Sequence, residues 1–270
     1  MRPQHASTDI LRFDGYRADA KAVKTSTSAL FLLALIVGLL APARADEIRV
    51  AVAANFADTM AALVQRFEAS SEHTVLVSSA STGSHYAQIV NGAPFEAFFA
   101  ADVRRPKLLE EDGVAVPGSR FTYAVGRIAL WSREPDFVDA DGHVLQTRGF
   151  RHLAIANPAL APYGAAAREV LTRRDLWEDV QDRLVQGQDI GQTFSFVYTG
   201  AAELGFVAYS QLSRPGRPIE GSYWLVPESL HTPIEQQAVL LVDAPAPRAF
   251  LAFVKSTEAR AVIHSYGYGP

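Results

Sequence analysis

The chain has 270 residues, 49% of them apolar, a formal net charge of −4 and no cysteine. The acidic balance argues against nucleic acid as a partner. The lack of thiols excludes a disulfide framework, a thiolate metal site and a cysteine nucleophile.

The first element in chain order is an uncharged apolar run over residues 28–40, with Lys21 and Lys24 ahead of it and Ala43-Arg44-Ala45 behind. The run is too short for a comfortable membrane span, and the small-x-small pattern suits a signal peptidase. Residues 1–45 are therefore expected to be a leader and secretory signal peptide, cleaved near Ala45, and the mature protein to be periplasmic; an uncleaved anchor is the alternative. Removing them takes away six Lys/Arg and three Asp/Glu, which leaves 19 basic and 26 acidic residues and a charge of −7.

Beyond residue 45, residues 48–53 alternate as a strand, and residues 59–68 place Met60, Leu63, Val64 and Phe67 on one helical face. Residues 74–79 read as a second strand, 86–90 as a short helix and 95–100 as a third, mostly buried strand. This β-α-β-α-β order implies parallel strands with right-handed crossovers, which gathers the loops after the strands along one sheet edge. Residues 128–131 and 153–156 predict two more strands. Pro158 and Pro162 then punctuate a turn, and Gly164 opens a helix with Ala167, Val170 and Leu171 on its apolar face. A helix over 192–199, strands over 204–208 and 237–242, and a last long helix over 247–255 complete the chain. Two α/β units are laid end to end with a strand and helix left over. The economical arrangement returns that tail to the first unit, giving two lobes joined by two crossing segments with a cleft between them.

Four loops lead from strands into helix starts: residues 53–58, 79–89, 157–167 and 187–194. A helix start offers unpaired N–H groups and partial positive charge, so several converging on one point form an anion site. Asn55, Ser81, Thr82 and Ser84 add side-chain donors, and Gly83, Gly164 and Gly191 let main chain approach a ligand. Asn55 also reads as an ordinary helix N-cap. Apart from Arg168, beyond the Tyr163 turn, these loops offer no Lys or Arg, which suits a compact dianion held by directed hydrogen bonds. No Gly-x-Ser-x-Gly elbow occurs, His73, His85, His143, His152, His231 and His264 are scattered without metal-ligand spacing, and the loop around Gly83 lacks the Gly-Lys-Ser/Thr end of a phosphate loop.

These features together resemble the periplasmic molybdate-binding proteins of ABC transporters, within the type II periplasmic binding fold. The likeness runs from IRVAVAANF through STGSHYAQIVNGAPFEAFFAADVRRPKLLEEDG, IANPALAPYGAAAREVL and AELGFVAYSQL to the terminal YGY. It implies an α/β, two-lobed fold, each lobe a mainly parallel sheet flanked by helices, with residues 46–123 plus 237–270 in one lobe and 124–236 in the other. It also implies a monomeric receptor rather than an enzyme, without cofactor or free metal cation, which captures molybdate or tungstate through neutral donors and delivers it to an ABC permease in the membrane. Carried over by residue, the oxyanion site comprises Ala54 and Asn55 from the first loop, Ser81 and Thr82 from the second, and Tyr163 and Ile190 from the second lobe. Tyr163 could instead pack as a cleft wall. One branch of the family places a Tyr hydroxyl on the anion where this chain has Ala208, and Tyr209 beside it would face the other way on a strand. Asp58 and Asp189 are the nearby carboxylates that would admit a protonated ion if they pointed into the cleft. The alternatives are a receptor for another oxyanion such as sulfate, or an exported serine hydrolase using Ser81 or Ser84 with His85.

Overall fold

The computed structural model describes residues 46–269, and the expected signal peptide lies outside them. The first strand, β1 (Glu47–Ala53), has Ile48, Val50, Ala51 and Val52 fully buried. That is the mark of a strand covered on both faces. It lies near the middle of a five-stranded sheet ordered β2 (Thr74–Ala80), β1, β3 (Ala97–Ala100), β10 (Ile234–Leu240), β4 (Phe121–Gly126). β1 is parallel to β2 and β3, and β10 runs antiparallel to β3 and β4. On one face, Met60, Leu63 and Phe67 of α1 (Ala57–Ser70) share a core with residues of the two C-terminal helices, Pro245–Val254 and Thr257–Ser265. On the other, Ile89 of α2 (Thr82–Val90) and Leu109 of α3 (Arg104–Glu111) cover Ala51, Phe98 and Val239.

The second sheet repeats the plan: β7 (Leu184–Gly187), β6 (Leu153–Ala156), β8 (Leu204–Ala208), β5 (Ile128–Ser132), β9 (Ser222–Leu225). Its first three strands are parallel and β5 is antiparallel to both neighbours. α4 (Val144–Thr147) and α5 (Pro162–Arg173) contribute to the core on one face, and α6 (Ile190–Tyr198) covers the other. α7 (Tyr209–Leu212) follows β8, and α8 (Pro245–Val254) and α9 (Thr257–Ser265) close the chain. In each sheet the fourth strand opposes its neighbours because the chain there crosses from one sheet to the other, once at Arg127 and once between β9 and β10.

β4 stays in the first sheet to Gly126 and β10 joins it at Ile234, so both crossing strands extend a few residues past the boundaries expected at 123/124 and 236/237. The elements α3, β4, α4, β7, α7, β9 and α9 were not anticipated. Most are of four to six residues, too short for a period to show, and α3 carries an Arg-Arg-Pro-Lys start that hides its two buried positions, Pro106 and Leu109.

α5 begins at Pro162, not at Gly164. Proline at the first helical position brings a suitable φ and lacks only an N–H that the helix would not use. Gly164 thus lies inside the helix, where an added Cβ would stand 2.2 Å from the Ala156 carbonyl oxygen. Its small size serves helix-on-strand packing and not ligand approach. Gly164→Ala should push α5 off β6 and destabilise by about 1–3 kcal/mol, seen as a lower urea midpoint with an unchanged slope.

Candidate functional site

Helix starts from both sheets meet in the cleft. The Gly83 N–H donates to the Leu160 carbonyl at 2.8 Å, Arg105 Nη2 to the Ala159 carbonyl at 3.0 Å, and Ser210 Oγ to the Asn55 carbonyl at 3.0 Å. Arg214 pairs with Asp58 at 2.6 Å. These bonds join the two lobes, which are closed on each other. Between them is a cavity of about 10 Å³, lined by Ala54, Asn55, Ser81, Thr82, Tyr163 and Ile190 together with Ala53, Ala101, Ala161, Pro162 and Asp189. Such a volume is about what a single water needs. All six residues singled out in the sequence therefore border one cavity, and none of its lining is Lys or Arg.

Helix geometry explains what they present. In the first turn of α2, the Gly83 N–H goes to Leu160, the Ser84 N–H to Ser81 Oγ and the His85 N–H to the Ser81 carbonyl. In α5, Gly164 and Ala165 both donate to the Ala161 carbonyl; in α6, Gln192 donates to Asp189 Oδ1 and Thr193 to the Asp189 carbonyl. Among the described residues, no such partner takes the N–H of Thr82, Tyr163 or Ile190. These are main-chain donors that a helix start leaves over. The Thr82 hydroxyl accepts from the Ala101 N–H at 3.0 Å, which leaves its proton to give.

Asn55 differs from expectation. It is buried, but no side-chain cap bond is made to its own helix. Its Nδ2 donates to Gln236 Oε1 at 2.8 Å and to the Tyr268 hydroxyl at 3.1 Å, so both amide protons are spent inside the protein. Gln236 also accepts from the Tyr123 hydroxyl at 3.0 Å and donates through Nε2 to the Tyr163 hydroxyl at 3.1 Å. Tyr163 thus both packs in the core of the second lobe and brings its hydroxyl to this network. Burial raises the pKa values of the Tyr123, Tyr163 and Tyr268 hydroxyls well above their ordinary range. All three therefore stay neutral.

Gln236, Tyr123, Tyr268 and Ser210 were missed from sequence. One signal was present: two consecutive glutamines, Gln236 and Gln237, lead directly into the apolar run Ala238–Val242. The ladder with β4 shifts register between them, leaving Tyr123 without a partner opposite. A bulge of this kind re-aims side chains.

The remaining candidates are accounted for by bonds within the protein. Asp58 is held by Arg214, and Asp189 caps α6. Ser81 Oγ lies 2.7 Å from Ser84 Oγ, while His85 is fully buried, contacts Gln88 through Nδ1 and meets Phe95 and Phe98 edge-on. The imidazole bonds neither serine, so the hydrolase arrangement is not assembled. Tyr209 does not lie on a strand but opens α7, where it meets the Arg127 guanidinium and the ring of Tyr223.

A small cavity closed between two such lobes defines a two-lobed solute receptor of the type II periplasmic binding fold. Residues 48–269 match the bacterial extracellular solute-binding proteins, and the chain belongs to that family. The molybdate-binding protein ModA of Azotobacter vinelandii is 50% identical over 242 residues, which cover 88% of this chain and 96% of that protein. ModA of Rhodobacter capsulatus is 47% identical over 240 residues, 87% and 93% of the two chains. The solved structure of the Azotobacter vinelandii periplasmic molybdate-binding protein superposes with a TM-score of 0.80 at 43% identity, over 83% of this chain and 99% of that one.

Two outcomes follow from this geometry. The Asp58–Arg214 pair is about half exposed on both sides, so it should matter little to folding, yet it spans the lobes. Arg214→Gln should leave the melting temperature nearly unchanged and raise the lobe-opening rate by roughly threefold at low salt, an effect that salt abolishes; a dye pair across the cleft reads it. Burial lowers the pKa of His85 below its ordinary 6.5. Above pH 6.5 both folded and unfolded imidazoles are neutral, and below it the unfolded chain takes the proton first, so stability falls as pH falls. Thermal melts should show this decline below about pH 6.5, and His85→Leu should flatten it.

Proposed function

We propose that this protein is an extracytoplasmic receptor that captures molybdate or tungstate between its lobes through neutral hydrogen-bond donors and hands the ion to an ABC permease. The observation that carries this reading is the convergence of Ala54, Asn55, Ser81, Thr82, Tyr163 and Ile190 on one small cavity with no basic side chain in its lining. The two molybdate-binding relatives of about half identity, matched along nearly their whole length, support the choice of ion.

In this reading the direct donors are main-chain N–H groups at the helix starts, with the Thr82 and Tyr163 hydroxyls. A hydrogen bond to a charged group contributes roughly 1.5–3 kcal/mol net, so a handful supports tight binding after desolvation and closure are subtracted. The lobes would turn about the crossings at Arg127 and at residues 226–233, and an ion that touches both lobes favours the closed state. The chain acts as a monomeric carrier, with no cofactor and no chemical step of its own.

Selectivity follows from protons. Hydrogen phosphate brings an O–H that needs an acceptor when buried. Asp58 is paired with Arg214, and Asp189, which borders the cavity, has its Oδ1 turned to the Gln192 N–H as the cap of its own helix. Sulfate carries no such proton, but its shorter bonds leave it loose in a cavity shaped for a larger ion.

Calorimetric titration at pH 7 should rank molybdate or tungstate first, sulfate well behind and phosphate last. Phosphate displacing molybdate at comparable concentration would refute the donor-only site. Thr82→Ala should weaken molybdate binding by about 1–3 kcal/mol without unfolding the protein. Small-angle scattering should show the radius of gyration shrinking when molybdate is added to ligand-free protein.

A further inference from the structure

The Asn55 main-chain carbonyl lies 2.8 Å from the Tyr268 hydroxyl. A carbonyl oxygen can only accept, so the one proton of Tyr268 is committed to it. The same hydroxyl lies 3.1 Å from the end of the Asn55 side chain, and having no second proton it can only accept there. The atom facing it is therefore Nδ2. That Nδ2 lies 2.8 Å from the end of Gln236, which must then present its oxygen; the Tyr123 hydroxyl, 3.0 Å from that oxygen and 3.2 Å from the Ala100 carbonyl, has its one proton for either acceptor. With Oε1 fixed, Nε2 is turned to the Tyr163 hydroxyl at 3.1 Å and donates to it. Tyr163 accepts at this contact, so its own proton must leave in another direction, and the residue borders the cavity.

The crowding at Gly126 supports the same contact. A Cβ there would stand 2.3 Å from the Tyr163 hydroxyl and 2.6 Å from Gln236 Nε2. β4 thus ends on a residue whose missing side chain makes room for these two groups to meet. The Gln236 amide favours the Tyr163 oxygen as an acceptor, opposing the larger effect of burial.

We infer that Tyr268, Asn55 and Gln236 are positioning residues: a file of hydrogen bonds with fixed donors and acceptors, anchored on the Asn55 carbonyl, holds the Tyr163 hydroxyl as a donor into the cleft. This rests on the oxyanion reading and deepens it, because a Tyr163 that cannot accept is what refuses an ion bearing a proton. It also gives the terminal Tyr-Gly-Tyr segment a task at the site, since Tyr268 reaches Asn55 without lining the cavity.

A double-mutant cycle with Tyr268→Phe and Tyr163→Phe, titrated with molybdate and with phosphate, tests it. Tyr268→Phe frees the Asn55 and Gln236 amides to turn over, so it should lower molybdate affinity by roughly tenfold and narrow the molybdate-to-phosphate ratio. In the Tyr163→Phe background the same change should cost less than about twofold, because no proton remains to direct. A Tyr268 that only supports the fold would lower the melting temperature and cost the same factor in both backgrounds; that result overturns the inference while leaving molybdate binding intact. Wild-type protein that binds no oxyanion would overturn both readings. If Tyr268→Phe does not fold, Gln236→Glu replaces it in the cycle. Its carboxylate would draw the Tyr163 proton to itself, so its loss in affinity should be larger with Tyr163 in place than in the Tyr163→Phe background, and equal losses overturn the inference.

Discussion

A helix leaves the N–H groups of its first turn without carbonyl partners in the same helix, and here several such starts face one point from two directions. Satisfying them is the constraint around which the rest is arranged. β1, β2, β6 and β7 all end at the cleft and hand over to short turns, and Asp189 and Ser81 cap their helices so that only the N–H groups nearest the cavity are left to give. A charged side chain would supply attraction with little direction. Fixed main-chain donors supply direction, and they cannot swing away when the lobes part.

Closure depends on groups buried where the lobes join. Gln236 sits on a strand of the first sheet and reaches a tyrosine on a helix of the second, while Ser210 of the second lobe holds the Asn55 carbonyl of the first. Ala53, Ala101 and Ile234 add apolar contact to the core of the other lobe. The closed form is therefore stabilised by a buried polar network and a small apolar seam, whereas the ion pair at the mouth is exposed and contributes little to either.

The sequence was most legible where strands are long and apolar. β1, β2, β3, β6 and β8 were found because an uninterrupted buried run is distinctive, and the six cavity residues follow from the family resemblance, on four loops that helix-start chemistry also marks. What stayed hidden was long-range. Asn55 and Gln236 are 181 residues apart and Asn55 and Tyr268 are 213 apart, and no periodicity brings such pairs together. Asn55 shows the same limit: beside its own helix it reads as a ligand donor or a cap, and only its distant partners show where its amide protons go. Gly164 was misplaced because Pro162, which reads as a turn, is also a good first residue of a helix.

The two sheets share one strand order but are not equal in how they are assembled. The five strands of the second lie within residues 128–225, an unbroken stretch. The first has its fourth strand at Ile234–Leu240, so β3 and β4 gain their shared neighbour only after the whole second lobe has been made. During synthesis the second lobe can therefore gather its sheet as it emerges, while the first waits with a gap between β3 and β4. Contacts that close so long a loop are slow to form, so the completion of the first lobe, and with it the cleft, is the late step by which this chain becomes a single folded body.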